Sequence, residues 1–530
     1  MCIAWRENLS VSMVAIVNND FHSFSKPTKL ELSKFFCLDK IFLRFKDPGR
    51  CYIPKRFIVA FLGFFGLVNA FTMRVNLSVA MVAMVNNTEE NAKVFNSSGD
   101  ECPNFMEAND DSTRGQSSSL GEKYDWDART QGMIMSSFFY AYFVTMLTGG
   151  YFAKRFGAKL MFGAGVGATS ILTLLTPVAV RWGVIPFIIV RALEGVGEGL
   201  TYPAINTMVS QWAPKLERSR ISSAVFSGAS IGTVLSFSAS GMMCKSEALG
   251  GWPSAFYVFG AIGSFWYVLW TIFIYETPDE HPTISKEELF LIYESEENQL
   301  PHKDLYIPWR KIFTSLPMWA VLFGNFGSYF GLAVLTTELP SYLSGVLHYS
   351  VEASGLLTGL PNLFEALGAI MSSYVADKLI SSKRLSVTTV RKIFHSMGMV
   401  GSGICLLAIT VSGCQATLII VLYSLLLYVN GFKYSGFHVN HVEIYPPLAG
   451  ILLGMTNSIS SLSGIIVPNM TGAFTASGNT RTNWNKVFYV TAGIYFISTI
   501  LYDIFASAEL QPWGLEKKGK KQSSISETKN

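Results

Sequence analysis

The chain has 530 residues and a formal net charge of +4; half of its residues are hydrophobic and 15% are charged. A soluble domain carries about 25% charged residues, so this composition excludes an ordinary soluble protein. The small net charge gives no reason to expect a nucleic-acid partner. The apolar residues come in long runs rather than amphipathic stripes, which predicts an all-α protein that crosses a lipid bilayer many times.

The first 50 residues form an atypical segment. Residues 6–19 largely repeat residues 74–87, but the apolar part of the copy, 9–17, is too short to span a bilayer. A clear signal-peptide cleavage site is missing. We interpret residues 1–50 as a cytosolic segment that contains a partial duplicate of the first span or a gene-model error, and we expect it to be poorly ordered.

The first span is predicted at 57–85 and contains one charge, Arg74. Arg74 lies about 12 residues, or roughly 18 Å, from the nearer end at the rise of an α-helix. That distance is too long for the side chain to reach the membrane surface. The position therefore predicts a buried functional arginine.

A polar loop follows at 87–129, and two glycosylation sequons begin at Asn86 and Asn96. Two sequons in the longest loop on one side predict that this loop is external or luminal and glycosylated. Five further spans then complete a six-helix bundle that we place at 51–275; they are predicted at 131–152, 160–178, 186–209, 221–243 and 255–274.

A charged linker at 276–316 separates this bundle from a second one at 317–508. Its six spans are predicted at 317–343, 353–375, 393–411, 417–439, 449–474 and 487–508, and a basic tail follows at 509–530. Positive charges cluster after the second, fourth and eighth spans, in the linker and in the tail. The positive-inside rule then predicts that both termini are cytosolic.

The two halves repeat weakly: residues 149–155 (GGYFAKR) and 372–378 (SSYVADK) follow the second and eighth spans. Parallel repeats joined by a long linker are typical of a secondary transporter. Composition alone would also allow a channel or a membrane enzyme.

The fourth span contains the stretch 191–203, which reads RALEGVGEGLTYP. Its three ionisable residues, Arg191, Glu194 and Glu198, are spaced i, i+3 and i+7 and therefore share one helix face. Charges inside a membrane span usually mark a substrate or proton path. The alternative is a cluster that only holds two helices together. The intervening glycines predict close approach of another helix.

The seven cysteines show no metal-ligand spacing, and no nucleophile–base pattern stands out. We therefore expect no metal, no cofactor and no enzymatic activity. Cys102, Cys244 and Cys414 are placed where a disulfide is possible.

Several motifs resemble one family in order along the chain. They read MRVNLSVAM at 73–81, GMIMSSFFY at 132–140, RALEGVGEGLTYP at 191–203, WAPKLERS at 212–219, WRKIFTS at 309–315, VRK at 390–392, GFHVNH at 436–441 and AELQPW at 508–513. Together they are similar to the major facilitator superfamily, in particular the anion symporters that include sialin, type I sodium/phosphate cotransporters and vesicular glutamate transporters. The resemblance implies twelve transmembrane helices in two six-helix pseudo-repeats.

The resemblance also implies roles for the buried charges. Arg74 and Arg191 would contact the anionic substrate, and Glu198 would carry the coupling proton. Glu194 matches an additional acidic residue of sialin-like members, and we expect it to pair with Arg191. Vesicular glutamate transporters have a histidine at the position of Met135 and an arginine at that of Ser328, which favours a sialin-like or phosphate-transporter-like member.

The remaining candidates are less specific. Lys433, in the tenth span, is either a second substrate contact or a structural charge, and Asn440 contacts substrate or contributes to a gate. Tyr140, Phe139 and Tyr202 are expected to line the cavity, although membrane aromatics more often serve packing. Gate positions on the cytosolic side are predicted at Arg155, Asp377, His441 and Glu443.

The sequence thus predicts a symporter that couples protons to an organic anion, an acidic sugar or other carboxylate, by alternating access. A sodium-dependent phosphate cotransporter is the nearest alternative, and an anion channel is an alternative of another class. We expect a monomer whose partners are a small anion and the lipid bilayer, in the plasma membrane or a lysosomal or vesicular membrane.

Overall fold

The structure, a computed structural model, describes residues 53–85, 122–214, 217–294, 308–444 and 449–511. The N-terminal segment 1–50, both sequons (Asn86 and Asn96), Cys102 and the tail beyond 511 lie outside the described residues. Within the described ranges the chain is helical and contains no β-strand, only a bridge between Val85 and Tyr124.

The helices of the first half follow the predicted spans one to six. They are α1 (Lys55–Met84), α2 (Ala128–Phe156), α3 (Ala158–Trp182), α4 (Val184–Gly199) with α5 (Thr201–Trp212), α6 (Arg218–Lys245) and α7 (Pro253–Phe273). The fourth span consists of α4 and α5 together.

The linker and second half contain α8 (Lys286–Glu294), α9 (Trp309–Phe313), α10 (Leu316–Ala333), a π-helical turn (Val334–Glu338), α11 (Leu339–Gly345), α12 (Val351–Gly359), α13 (Asn362–Ser381), α14 (Val387–Val411), α15 (Ala416–Asn430), a 3₁₀ turn (Gly431–Ser435), α16 (Phe437–Ile444), α17 (Ala449–Ser460), α18 (Ser463–Phe474) and α19 (Arg481–Phe505). The seventh span runs from α10 to α11, and the eighth consists of α12 and α13. The tenth contains α15 and α16, and the eleventh α17 and α18.

Ten helical stretches in the described residues are long and apolar enough to cross a membrane. The fourth and eighth predicted spans are not among these ten stretches, and each is divided into two helices. Proline explains both divisions, because it lacks an N–H and its ring clashes with the carbonyl four residues earlier. Pro203 thus ends α4 at Gly199, and Pro361 separates α12 from α13. Each predicted span therefore has a helical counterpart.

Acidic side chains cap the N-termini of α1 and α2. The Glu288 carboxylate of the linker accepts the backbone N–H groups of Lys55 and Arg56, both at 3.0 Å, at the start of α1. At the start of α2, the Asp127 side chain accepts the Thr130 amide, and this hydrogen bond holds the pKa of the Asp127 carboxyl below its usual value. Such contacts satisfy amides that a helix leaves unpaired at its first turn.

The two halves meet closely at the ends of the spans next to the 85–128 connection. A Cβ on Gly132 would lie 2.5 Å from the Pro468 carbonyl oxygen, and one on Gly355 would lie 2.5 Å from that of Phe237. An ion pair of 2.6 Å joins Lys245 of α6 to Glu352 of α12. Glycine contacts bring these backbones together, as is common between membrane helices.

The cysteines of the described residues differ in state. Cys244 and Cys405 are free and buried, whereas Cys414 is disulfide-bonded. The disulfide expected among Cys102, Cys244 and Cys414 therefore does not include Cys244.

Candidate functional site

Three buried ionisable side chains of the fourth span face the first half's interior. Arg191 is 3% exposed, Glu194 0% and Glu198 1%. Arg191 and Glu194 form the ion pair expected from their i, i+3 spacing. The other oxygen of Glu194, Oε1, accepts hydrogen bonds from Thr173 and Thr176 of α3, at 3.3 and 3.1 Å. Glu194 is therefore held by partners on both sides.

Glu198 has a different partner, which comes from the first span. The Nε of Arg74 lies 2.7 Å from Oε1 of Glu198. The Nε–H does not point along this line, so the contact is an ion pair rather than a directed hydrogen bond. Arg74 Nη2 and Glu198 Oε2 have no hydrogen-bond partner among the described residues. Both side chains thus retain free hydrogen-bonding capacity inside the protein.

Aromatic rings surround the Arg74 guanidinium. Its carbon lies 4.3 Å from the centre of the Tyr142 ring, 4.8 Å from that of Phe71 and 5.1 Å from that of Phe138. The Arg191 guanidinium is 5.4 Å from the same Phe138 ring. Ring faces stabilise a cation and exclude water at the same time. Phe138 therefore shields both arginines.

The glycines of the 191–203 stretch allow this arrangement. A Cβ on Gly195 would lie 2.1 Å from the Phe138 carbonyl oxygen, and one on Gly199 would lie 2.0 Å from Oγ1 of Thr145. A Cβ on Gly197 would meet Gly165 of α3 at 2.8 Å. The fourth span thus contacts α2 and α3 backbone to backbone, which confirms the close approach predicted from sequence.

A small cavity opens beside the two arginines and reaches the other half of the protein. It is lined by Arg74, Val75, Leu77, Ser78, Met135, Phe138, Phe139, Arg191, Thr336 and Thr337. Its volume of about 40 Å³ has room for a few water molecules. Thr336 and Thr337 belong to the π-helical turn of the seventh span, so both halves contribute to the cavity wall.

The predicted aromatic residues lie in different places. Phe139 lines the cavity. Tyr202 packs against Phe71, with ring centres 6.0 Å apart, and stacks on Phe226 at 5.5 Å. Tyr140 is 54% exposed and is not among the residues that line the cavity. The cavity is lined by Met135, Phe138 and Phe139 of α2, and the next residue, Tyr140, lies about 100° further around the helix and points away from it.

Lys433 forms an ion pair in the second half, with a partner that the sequence did not identify. Its Nζ lies 2.8 Å from Oε1 of Glu365, in the first turn of α13, and donates to Oδ1 of Asn430 at 2.6 Å. Lys433 is 4% exposed. The sequence signal for this partner was Glu365, because it is an acidic residue inside the predicted span 353–375. The pairing supplies Lys433 with the partners that a buried ammonium group requires.

Three candidates near the end of the tenth span contact neighbouring helices of their own half. Asn440 Nδ2 donates to the Tyr502 hydroxyl at 3.0 Å, and a hydrogen bond of 2.9 Å joins His441 Nε2 to the Thr456 hydroxyl. Oε1 of Glu443 accepts from Nε and Nη2 of Arg391, at 2.9 and 2.7 Å. None of these three lines the cavity beside Arg74.

The two remaining gate candidates, Arg155 and Asp377, are both exposed. The Arg155 guanidinium lies 6.0 Å from the Phe156 ring. Neither forms an ion pair with another of the residues that the structure describes.

These features define a polytopic membrane transporter: two helical halves surround a central cavity, and broken helices and buried charges line it. The sequence pattern of the Major Facilitator Superfamily matches residues 60–468. The chain belongs to this superfamily, as its motifs predicted, and it is a multi-pass membrane protein and not an enzyme.

The chain is similar to several proteins over most of its length. It is 40% identical to human sialin over 462 residues, which cover 87% of this chain and 91% of sialin. It is 38% identical to a putative inorganic phosphate cotransporter of Drosophila melanogaster, covering 88% of each chain. Human vesicular glutamate transporter 2 is 37% identical, covering 87% of this chain and 75% of that protein.

Solved structures agree on the fold. A bacterial homologue of the human lysosomal transporter Spinster, in an inward-facing and unoccupied conformation, aligns with a TM-score of 0.65 at 13% identity. The alignment covers 87% of this chain and all of that one. A D-xylose–proton symporter aligns with a TM-score of 0.59 at 16% identity, over 86% of this chain and 99% of that one.

Proposed function

We propose that the protein is a symporter that moves an organic anion, an acidic sugar or another carboxylate, together with a proton. The observation that carries this proposal is the Arg74–Glu198 ion pair, which lies beside a cavity shared by the two halves. A cation that can bind an anion and a carboxylate that can bind a proton are thus in direct contact.

Arg74 is the proposed anion contact. A guanidinium remains protonated at any physiological pH and matches a carboxylate or phosphate with paired hydrogen bonds. Arg74 lines the cavity and keeps one buried nitrogen, Nη2, without a hydrogen-bond partner among the described residues. The names of two of the similar proteins refer to inorganic phosphate and to glutamate, which are both anions.

The contact between Arg74 and Glu198 gives a physical reason for coupling. While Glu198 is ionised it neutralises Arg74, and an incoming anion must compete with it. When Glu198 takes up a proton, Arg74 becomes a buried charge without a counter-ion, which is costly in an apolar environment. Binding of the substrate anion then restores neutrality, so the proton and the anion favour each other's binding.

The Arg191–Glu194 pair has a supporting role in this mechanism. It is neutral as a unit, and two threonines of α3 hold its carboxylate. Arg191 Nη2 also approaches the Arg74 backbone carbonyl oxygen at 3.4 Å. We propose that this pair holds the first and fourth spans in register while Glu198 changes its charge.

The cavity is too small for a sugar, so substrate binding requires the two halves to move apart. Movement of the halves around a central site is the alternating-access mechanism of such folds. The close contacts between halves, such as Gly132 with Pro468, would open and close during each cycle.

A sodium-dependent phosphate cotransporter is the second candidate, and the similarity to putative phosphate cotransporters favours it. Arg74 would bind phosphate by the same paired hydrogen bonds. The difference between the candidates is the driving ion.

Uptake into proteoliposomes tests the proposal. Labelled sialic acid, glucuronate and phosphate are supplied in turn, with an inward proton gradient or an inward sodium gradient imposed separately. We expect carboxylate uptake that is driven by protons without sodium and lost in Arg74→Ala. Phosphate uptake that requires sodium would support the second candidate instead, and flux that neither saturates nor shows counterflow would indicate a channel.

A further inference from the structure

The seventh span contains a buried carboxylate, Glu338, that the mechanism above does not use. Glu338 ends the π-helical turn Val334–Glu338, in which the N–H of Leu339 bonds to the carbonyl of Val334, five residues earlier. Only 7% of Glu338 is exposed. A carboxylate inside a membrane span is costly and usually has a function.

Glu338 has no cationic partner among the residues that the structure describes. Its side-chain contact is a hydrogen bond of 2.8 Å from the Thr337 hydroxyl to Oε1. The other two fully buried carboxylates of the described spans each face a cation: Glu194 faces Arg191 and Glu198 faces Arg74. The partly buried Glu365 and Glu443 face Lys433 and Arg391. A buried carboxylate without a cation becomes neutral by taking up a proton or by binding a cation.

Thr337 connects this carboxylate to the central cavity. Thr336 and Thr337 line the cavity together with Arg74 and Arg191. The Thr337 hydroxyl can donate to Glu338 or to the backbone carbonyl of Ala333, which lies 2.7 Å away. Glu338 is therefore one hydroxyl group away from the proposed substrate site, on the opposite half of the protein from Glu198.

The π-helical turn has a simple structural cause, but the glutamate does not. Pro340 cannot donate to the carbonyl of Thr336 and would clash with it, so the added residue of a π turn relieves the strain. An apolar residue at 338 would serve that purpose without burying a charge. The one π turn among the described residues contains Thr336 and Thr337, which line the cavity, and such turns are frequent at functional sites.

The ionisable groups near Glu338 influence how readily its carboxylate binds a proton. The π turn packs against α1, which contributes Arg74, and against α18, which has no ionisable residue. Within its own span it adjoins α10 with Tyr329 and α11 with Tyr342. Arg74 is the one group among these that is charged at neutral pH, and it pairs with Glu198.

We propose that Glu338 is a second proton-binding site, which takes up one proton in each transport cycle in addition to the proton on Glu198. The proton adds to a carboxylate oxygen from water in the cavity, through Thr337, and returns to water after the halves have moved. This inference rests on the proposed symport, and it predicts that at least two protons accompany each substrate anion.

The experiment measures how far the full-length protein accumulates labelled substrate at a fixed pH difference and zero membrane potential. Each coupled proton multiplies the accumulation ratio by about ten for a pH difference of one unit. We expect Glu338→Gln to lower the ratio about tenfold relative to the wild type, and Thr337→Val to slow uptake without changing the ratio. Glu247→Gln, which removes an exposed carboxylate, is the matched control and should leave both unchanged.

An unchanged accumulation ratio in an active Glu338→Gln variant would overturn the proposal. If that variant does not fold, the wild-type protein provides a second measurement. An apolar carbodiimide reacts with protonated carboxyl groups, so labelling at Glu338, read by mass spectrometry, should fall as pH rises across the range of transport. Labelling that does not vary with pH contradicts the proposal. Absence of any proton-driven uptake in the wild type would instead overturn the proposed symport.

Discussion

The buried charges of the two halves are used differently. In the first half, Arg74 and Glu198 are in contact but keep polar atoms without hydrogen-bond partners among the described residues. In the second half, Lys433 contacts both Glu365 and Asn430, and Arg391 uses three nitrogens to contact Glu443 and the Ser435 carbonyl. Arg74 of the first half therefore keeps a nitrogen free for a ligand, whereas Lys433 Nζ and all three nitrogens of Arg391 contact acceptors.

This difference suggests how to distinguish a functional from a structural charge in a membrane. A structural cation is surrounded by acceptors that satisfy it, because a buried unsatisfied charge is costly. A substrate-binding cation must retain a donor for the ligand. By this criterion we propose Arg74 as the anion contact and Lys433 as a primarily structural charge, although both are buried charges of the same sign.

The largest effect is expected for Arg74. Arg74→Ala removes the anion contact, and loss of a buried charge partner costs about 3 kcal/mol or more, or about a hundredfold in affinity. Uptake of labelled substrate at low concentration should fall by at least that factor. The variant also leaves Glu198 without its cation, so Arg74→Ala/Glu198→Gln is the control: it should restore the folded yield but not uptake. Recovery of uptake in the double variant would show that Arg74 is structural.

The next effect concerns coupling. Glu198→Gln removes the site that takes up the proton but keeps the size of the side chain and leaves Arg74 without a competing charge. Concentrative uptake driven by a pH gradient should fall at least tenfold, whereas exchange of labelled for unlabelled substrate should continue. Exchange and uptake are compared in the same proteoliposomes. An accumulation ratio that the substitution leaves unchanged would remove Glu198 from the mechanism.

A smaller effect on transport is expected for the Lys433–Glu365 pair. Lys433→Met leaves a buried carboxylate without its cation, and breaking a buried pair costs about 3–5 kcal/mol of stability. Lys433→Met/Glu365→Met removes both charges and should recover most of the stability and most of the transport. Thermal unfolding in detergent measures the stability, and uptake into proteoliposomes measures the transport. If the double variant is stable but inactive, Lys433 contacts substrate and the contrast between the halves fails.

The smallest effect is expected for the exposed pair Lys245–Glu352, which joins the two halves. Exposed ion pairs contribute about 0–1 kcal/mol because water and salt screen them. Glu352→Lys should change the uptake rate by less than about fivefold, and Lys245→Glu/Glu352→Lys should reverse the change. High salt should abolish the difference between the variants and the wild type.

Much of the fold could be predicted from sequence because membrane spans are read from the length and composition of apolar runs. The i, i+3 spacing of Arg191 and Glu194 likewise predicted their pairing, since it depends only on helix geometry. The contact between Arg74 and Glu198 could not be predicted in this way. The two residues belong to different spans, and their contact depends on how the helices pack.

Local details were also beyond the sequence pattern. Phe139 and Tyr140 were both expected in the cavity, but only Phe139 lines it, because the rotation of α2 that turns Phe138 and Phe139 inward leaves Tyr140 exposed. Glu365 and Glu338 are each a single acidic residue within an apolar run. The sequence spacing therefore does not identify an ion-pair partner for either residue. Pro340 was the available signal for the π-helical turn, because a proline inside a span disturbs the helix before it.

The glycines of the fourth span have a consequence for inherited variation. Any single-base change in a glycine codon that alters the residue adds at least a Cβ, and at Gly195 and Gly199 that atom would lie about 2 Å from α2. At Gly195 the atom in the way is the Phe138 carbonyl oxygen, so making room would displace Phe138, which shields both arginines. At Gly199 it is the Thr145 hydroxyl, and the Tyr142 carbonyl oxygen also lies 2.9 Å from the added Cβ. A complete missense scan should therefore find no tolerated residue at 195 or 199, alanine included. At Glu198, the one charged position between them, replacement by the isosteric glutamine should still yield folded protein.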